Sequence, residues 1–89
     1  MKMYSYKLFT TPTCPNCPSV KAYLKDVQLP GEFVDASSRE GFEQAKKLNV
    51  SSVPTVVFFK GNDEVSRVFS RIEAEASVIR MLSEMQDHK

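Results

Sequence analysis

Hydrophobic and polar residues alternate over residues 3–10 and again over 65–69, which is the pattern of half-buried β-strands. The continuous apolar run 55–59 is β-branched, aromatic and too short for a helix, so it predicts a central strand covered on both faces. A brief strand is predicted at 32–36. The composition of Gly61-Asn62-Asp63 predicts a hairpin turn before the last strand.

Three further segments carry apolar residues at helical spacing. The first is predicted to be a helix from about 15 to 28. The second and third each begin with the spacing of a capping box, Ser37 with Glu40 and Ser70 with Glu73. The predicted core residues are Phe42, Ala45 and Leu48 in the second helix, Ile72, Ala76, Ile79, Leu82 and Met85 in the third, and Phe58, Phe59 and Phe69 in the strands.

The predicted element order is βαβαββα, which defines an α/β fold. Early βαβ units require right-handed crossovers and the final hairpin adds antiparallel strands, so we expect a mixed four-stranded sheet with helices on both faces. With 89 residues, of which 42% are hydrophobic and 26% charged, the chain is expected to form one globular domain over 1–89.

Charge and hydropathy exclude several classes of function. A net charge of +1 with scattered basic residues argues against nucleic-acid binding. Neither a signal-peptide pattern near the N-terminus nor a run of about 20 apolar residues is found in the sequence, so no membrane association is expected and the cytoplasm is the expected location.

Cys14 and Cys17 bracket Pro15-Asn16 where a strand and loop give way to a helix. This places Cys14 near the N-cap and Pro15 at the first helical position. Unpaired N–H groups and the helix dipole stabilise a thiolate there, so Cys14 is the predicted nucleophile. Cys17, nearly one turn later, is the predicted resolving thiol, which would displace a mixed disulfide and leave an oxidised Cys14–Cys17 pair. A bridge that closes so short a loop adds little stability, so a structural staple is a poor explanation.

Residues near the cysteine motif have a structural interpretation, and for the two lysines and the preceding loop a functional one is the alternative. Lys7 and Lys21 are interpreted as solvated surface charges, and a contribution to the positive potential near the thiols is the alternative. Pro18 is predicted to remove one early backbone hydrogen bond of the helix. The loop 11–13 could frame a substrate groove or simply be a turn.

With the Cys-Pro-x-Cys motif and the later Val53-Pro54-Thr55 in hand, the chain resembles the thioredoxin-fold redoxins over nearly its whole length. The resemblance implies a cis-proline at Pro54 beside the disulfide and a backbone at Val53 that pairs with the incoming peptide or glutathione. The implied substrate-binding residues are Thr13, Pro15, Asn16, Val53, Pro54 and Thr55.

Within that family the chain combines features of two branches. Its short first strand and the run Thr11–Pro18 resemble glutaredoxins, especially C-P-x-C-P redoxins, while the part after Pro54 resembles thioredoxin. Glutaredoxins carry a Gly-Gly pair and an acidic residue at the start of the last helix to hold glutathione, whereas this chain has Arg67-Val68-Phe69-Ser70-Arg71-Ile72-Glu73. The buried acid of thioredoxin would fall on Leu8.

The resemblance implies a monomeric protein-disulfide oxidoreductase with no bound cofactor, whose reductant is a partner such as thioredoxin reductase or glutathione. The alternatives are a glutathione-coupled glutaredoxin, a dedicated donor to an enzyme such as ribonucleotide reductase, or a non-catalytic or metal-binding module. His88 is the only other strong zinc ligand in the sequence, so a closed single-chain zinc site is not expected, although a cluster shared by two chains is an alternative.

Overall fold

The computed structural model describes residues 3–86, which form four strands and three helices in the predicted order. The elements are β1 (Tyr4–Thr10), α1 (Cys17–Lys25), β2 (Gly31–Asp35), α2 (Arg39–Lys47), β3 (Thr55–Lys60), β4 (Asp63–Val68) and α3 (Arg71–Gln86). Met85 was predicted to lie in the core, but its side chain is outside the part that the structure describes. His88 also lies outside the described residues.

The strands form one mixed sheet in the order β2-β1-β3-β4. β1 runs parallel to β2 and antiparallel to β3, and β3 pairs antiparallel with β4. The helices cover both faces of the sheet, and this confirms the predicted α/β thioredoxin fold.

The alternation in β1 divides the core into two layers. Tyr4, Tyr6 and Leu8 face α1 and α3, where they pack with residues of both helices such as Val20 and Val78. Phe9 faces the opposite side, where it packs with Val34, Ala45 and Val57 beneath α2. The two layers hold the central pair β1 and β3 from both sides, so the ends of these strands are fixed in place.

The cap of α2 is Ser38, not the predicted Ser37. The Ser38 hydroxyl accepts from the Gly41 N–H at 3.0 Å, whereas the Ser37 hydroxyl donates to the Asp35 carboxylate at 2.6 Å. The predicted capping pair of α3 is confirmed, since Ser70 accepts from the Glu73 N–H at 3.2 Å.

Several residues predicted to lie in the core are exposed. On α3 the buried stripe is formed by Ala74, Ser77, Val78 and Met81, while Ile72 and Ile79 are 73% and 65% exposed. Ala76 is exposed as well. Both stripes have helical spacing, and packing of α3 against the sheet buries the one that contains Ala74 and Val78. Phe42 on α2 and Phe69, which follows β4, are also exposed.

Candidate active site

The cysteine motif and Pro54 lie at the same edge of the sheet. Phe9 at the end of β1 pairs with Thr55 at the start of β3, because the two strands are antiparallel. The loop that follows β1 therefore meets the loop that precedes β3. The end of β2 reaches the same edge, where Asp35 pairs with Thr10.

Cys14 and Cys17 form a disulfide with their Cα atoms 5.4 Å apart. Both residues are buried, and the Cys14 N–H donates to the Thr11 carbonyl oxygen at 3.2 Å. The intervening Pro15 and Asn16 are exposed, as is Thr13 on the other side of Cys14. The sequence spacing thus brings the two sulfurs together, as predicted for a reversible pair.

The first helix begins two residues later than predicted. Its N-cap is Asn16, so Cys17 occupies the first helical position and Pro18 the second, while Cys14 lies one turn before the helix. Pro18 removes no helical hydrogen bond at this position, because the first four N–H groups of a helix have no partner within it. The first turn contains no acidic residue that would oppose a thiolate at this end of the helix.

In the loop that precedes β3, at this same edge, the Val53–Pro54 peptide bond is cis, as the resemblance implied. Pro54 is buried and Val53 is half-buried. Thr55 is 1% exposed, and its hydroxyl donates to the Ser52 carbonyl oxygen at 2.7 Å. The hydroxyl of Thr55 therefore holds the backbone of the loop that carries Val53 and Pro54.

The segment before Val53 is held at its other end by the C-terminus of α2. Asn49 adopts a left-handed conformation with φ 58°, and the Val50 N–H donates to the Ala45 carbonyl oxygen at 2.8 Å. This is the arrangement of a Schellman motif, which ends a helix and turns the chain sharply.

Arg67 of β4 completes this anchor, and it was not among the predicted site residues. Its guanidinium donates to the carbonyl oxygens of Leu48 at 2.7 Å and Asn49 at 3.2 Å. It also forms an ion pair with Glu64 at 2.7 Å. The contacts to Leu48 and Asn49 span 19 and 18 residues of sequence, so no local pattern could have identified them.

Leu8 is fully buried in the core layer beneath α1 and α3. The resemblance places it where thioredoxins carry a buried acid, and an aliphatic side chain cannot accept a proton.

Two cavities share Thr11 in their walls, and one of them borders the cysteine pair. One, of about 390 Å³, is bordered by both cysteines and by Lys21 and Asp35. The other, of about 290 Å³, is bordered by Phe42, Val50 and Val53 among other residues. Thr11 borders both, so it lies between the disulfide and the Val53 backbone.

Of the two lysines near the motif, Lys21 borders the first cavity. Lys7 lies on the α2 face of the sheet, where its ammonium donates to Gln44 at 2.7 Å and pairs with Glu32 at 3.3 Å. Lys7 is therefore engaged elsewhere, and Lys21 is the cation that shares a cavity with the thiols.

Among residues 3–86, no three His, Cys, Asp or Glu side chains form a group suited to a metal ion. None of the helices there has the length and apolar character needed to span a bilayer.

A four-stranded mixed sheet with a Cys-Pro-x-Cys pair and a cis-proline at one edge is the architecture of the thioredoxin fold. The family model described as Glutaredoxin matches residues 6–63, and the chain belongs to this family.

A protein of Archaeoglobus fulgidus described as "Probable Thioredoxin" is 34% identical over an aligned length of 59 residues, and the match covers 62% of this chain and 65% of the relative. The match thus spans slightly less than two thirds of the length of that relative.

Solved structures of thioredoxins share the fold. Fasciola hepatica thioredoxin has a TM-score of 0.75 at 27% identity, covering 89% of this chain and 81% of its own. Thioredoxin O2 from Arabidopsis thaliana in the oxidised state has a TM-score of 0.78 at 23% identity, covering 89% and 75%. The resemblance to thioredoxin-fold redoxins is therefore confirmed.

Proposed function

We propose that this protein is a dithiol electron carrier that reduces disulfides of other proteins. The observation that carries the proposal is the joined Cys14–Cys17 pair at the sheet edge that also holds the Val53–Pro54 peptide. A reducing, cytoplasmic setting belongs to the proposal, because a dithiol carrier must be returned to its reduced form after each cycle.

In the proposed mechanism, the Cys14 thiolate attacks one sulfur of a substrate disulfide and the other substrate sulfur leaves as a thiolate. Cys17 then attacks Cys14 in the mixed disulfide, and the substrate leaves with two thiols while the carrier keeps the disulfide. Two electrons and two protons pass to the substrate. Since Leu8 offers no acid or base, the Cys17 proton passes to the leaving thiolate or to water.

The proposed substrate site lies along the Val53 backbone, to which an extended peptide can add as a short strand. The neighbouring cavity of about 290 Å³ has apolar side chains in its wall, and the exposed ring of Phe42 borders it. Phe69 is exposed just beyond Val68, which pairs with Val56 near the start of β3. This apolar surrounding favours a peptide substrate. Thr13, Pro15 and Asn16 remain predicted contacts, and Thr55 is proposed to act through the loop it supports.

Glutathione is the less favoured reductant in this proposal. The segment Arg67–Glu73 stands where the resemblance places the Gly-Gly pair and the acidic residue that hold glutathione in glutaredoxins, and it contains no glycine. We therefore expect a flavoprotein thiol reductase to serve as the electron donor.

The test is reduction of insulin disulfides by the purified protein, with either thioredoxin reductase and NADPH or glutathione as the electron source. We expect turnover with the reductase and little with glutathione. Turnover with glutathione alone would favour the glutaredoxin alternative. Failure with both donors would argue against a general carrier, and rapid reduction of ribonucleotide reductase alone would then identify a dedicated donor.

A further inference from the structure

Helix α3 carries apolar residues on two opposite sides. Ala74, Val78 and Met81 face the sheet and lie in the core. Ile72 and Ile79 point away from it and are 73% and 65% exposed. The mechanism proposed above gives these two isoleucines no role. Large apolar side chains that share one exposed surface are typical of a site where another molecule binds.

The exposed residues form one stripe, here called the outer stripe, which consists of Ile72, Ala76, Ile79 and Ser83. Successive residues of an α-helix are rotated by about 100°, so these four lie within about 60° of one another and almost opposite the side that faces the sheet. They follow one another at intervals of four, three and four residues. This is the spacing of the a and d positions of a coiled coil, through which one helix packs against another.

A second copy of α3 in antiparallel orientation matches the outer stripe in size. When Ile79 of each copy lies against Ala76 of the other, Ile72 comes to lie against Ser83 of the other, because a positions face d positions in antiparallel pairs. Each large side chain then meets a small one, and the two helices stay at an even distance along their length. Such interlocking allows close packing of the two surfaces.

The charges beside the outer stripe match in the same orientation. Glu73 and Arg80 are exposed and lie seven residues apart on one side of the stripe. An antiparallel pair with two-fold symmetry brings this side against the same side of the second copy, so Glu73 of each copy faces Arg80 of the other. Arg80 forms no ion pair within residues 3–86. Glu73 accepts from the Phe69 N–H through Oε1 at 2.9 Å, which leaves Oε2 for the second copy.

A parallel pair of α3 helices would fit less well. It would place Ile72 on Ile72 and Ala76 on Ala76, so wide and narrow layers would alternate and leave gaps. Its ionic contacts would join Arg80 to Glu75 of the other copy. Glu75 already forms an ion pair with Arg71 in its own chain. Size and charge therefore both favour the antiparallel orientation.

We infer from this match that the protein self-associates through the outer stripe of α3 as an antiparallel dimer with two-fold symmetry. No residue of the stripe belongs to the cysteine motif or to the loop that carries Val53 and Pro54, so dimer formation is independent of the proposed redox function. α3 has 16 residues and is about 24 Å long. One helix pair of this length buries less than the roughly 800 Å² per partner of a standard interface, so we expect a dissociation constant on the order of 100 µM.

Sedimentation equilibrium of the oxidised protein, from about 10 µM to about 1 mM, measures the dimer. The oxidised form is used because its two cysteines are joined within the chain and cannot bridge two copies. Amide chemical shifts recorded over the same range locate the contact. We expect a monomer–dimer equilibrium with concentration-dependent shifts centred on the outer stripe.

Ile79→Lys tests the apolar contact. It places a charge at the middle of the paired surface and should weaken self-association at least tenfold, while its exposed position keeps the fold intact. Val65→Lys makes the same change at an exposed apolar position of β4 and should dimerise like the wild-type protein. Circular dichroism spectra establish that both variants are folded. Insulin reduction by Ile79→Lys at about 1 µM should be unchanged, because the wild-type protein is monomeric at that concentration.

A mixing experiment tests the antiparallel register. Glu73→Arg and Arg80→Glu should each weaken self-association roughly tenfold, because each puts two like-charged pairs across the dimer. In a mixture of the two variants both pairs regain opposite charges, so a heterodimer should form with an affinity within about threefold of the wild-type dimer. Lys47→Glu, an equal change of charge on the exposed surface of α2, is the matched control and should dimerise normally.

A wild-type protein that stays monomeric at about 1 mM, or whose concentration-dependent shifts lie away from α3, would overturn the dimer. A mixture of the charge variants that associates no better than either variant alone would overturn the antiparallel register. Insulin reduction by the wild-type protein separates these failures from failure of the proposed function. A monomer that reduces insulin keeps its function and lacks this interface, and an inactive protein that dimerises as described retains the interface alone.

Discussion

The segment that carries the cysteines and the segment that carries Pro54 meet at one edge of the sheet, but different interactions hold them. The cysteine segment relies on the disulfide itself and on the bond from the Cys14 N–H to the Thr11 carbonyl, and Asn16 provides no side-chain cap. The Pro54 segment is fixed at both ends, by Arg67 and by the Thr55 hydroxyl.

This difference corresponds to what each segment has to do. Sulfur atoms that exchange partners must change their distance in each cycle, so many fixed hydrogen bonds around them would resist the reaction. A backbone that receives a peptide binds best when it is already in place, because ordering it on binding would reduce affinity. One segment thus supplies the chemistry and the other supplies a template.

The cysteine substitutions should have the largest effect on activity and test the first half of this contrast. Cys14→Ser removes the attacking thiolate and should reduce insulin turnover to the uncatalysed rate, while Cys17→Ser should accumulate a mixed disulfide with the substrate. Mass spectrometry of the trapped species measures the second effect. Ser19→Ala, at an exposed position of α1, is the control. Full activity in Cys14→Ser would reverse the assigned roles.

Gly41→Ala should have the largest effect on stability, because Gly41 is where α2 touches the end of β2. A Cβ atom at this position would overlap the Asp35 carbonyl group, which is backbone and cannot easily move away. We expect a loss of about 3 kcal/mol in the free energy of unfolding, as for other overpacked sites. Urea denaturation followed by circular dichroism measures it. Glu40→Ala, exposed one residue earlier, should change stability by less than about 0.5 kcal/mol. Equal stability of both variants would show that α2 is free to shift.

Arg67→Met tests whether the Pro54 segment is a preformed backbone for peptide binding. The loss of charged hydrogen bonds to the Leu48 and Asn49 carbonyl oxygens should destabilise the fold by about 2 kcal/mol. If Arg67 positions the Val53 backbone, KM for insulin should rise roughly fivefold while kcat changes by less than about twofold, because binding common to ground and transition states is lost.

Two further arginine variants separate positioning from stability. Arg67→Lys retains one charged donor and should recover part of the lost KM. Arg71→Met removes an exposed ion pair with Glu75 and should leave KM unchanged. A fall in kcat without a change in KM for Arg67→Met would contradict the positioning role.

The same contrast explains how much the sequence predicted. The cysteine segment was identified because its chemistry is carried by neighbouring residues, and the β1 alternation placed it correctly at the end of a strand. The Pro54 segment was located only through family resemblance. Its anchor at Arg67 depends on contacts across 18 and 19 residues, which sequence spacing does not report.

Two of the incorrect predictions arose where two local solutions were equally good. Ser37 and Ser38 can each cap α2, and the choice depends on the Asp35 side chain, which binds Ser37. Two apolar stripes on α3 have helical spacing, and packing against the sheet selects the one with Ala74 and Val78 over the one with Ile72. Tertiary contacts decide such cases.

The smallest expected effect concerns the ion pair that steadies Arg67. The hydrogen bond from Arg67 lowers the pKa of Glu64 below its ordinary value of 4.5. A carboxyl whose pKa is lowered by folding stabilises the protein at pH values above its unfolded pKa and loses that contribution as the pH falls through its folded pKa. Glu64→Gln should therefore cost at most about 1 kcal/mol at pH 7 and progressively less below pH 4.5.

Chemical denaturation of both proteins at pH 7 and pH 3 measures this difference. Glu43→Gln, on the exposed surface of α2, is the matched control and should show a smaller difference at pH 7. If the ion pair between Glu64 and Arg67 also orders the Pro54 segment, Glu64→Gln should raise KM for insulin slightly at pH 7, in the same direction as Arg67→Met. A stability difference that grows toward pH 3 would contradict the sign of the pKa shift and show that Arg67 holds the Leu48 and Asn49 carbonyls without help from Glu64.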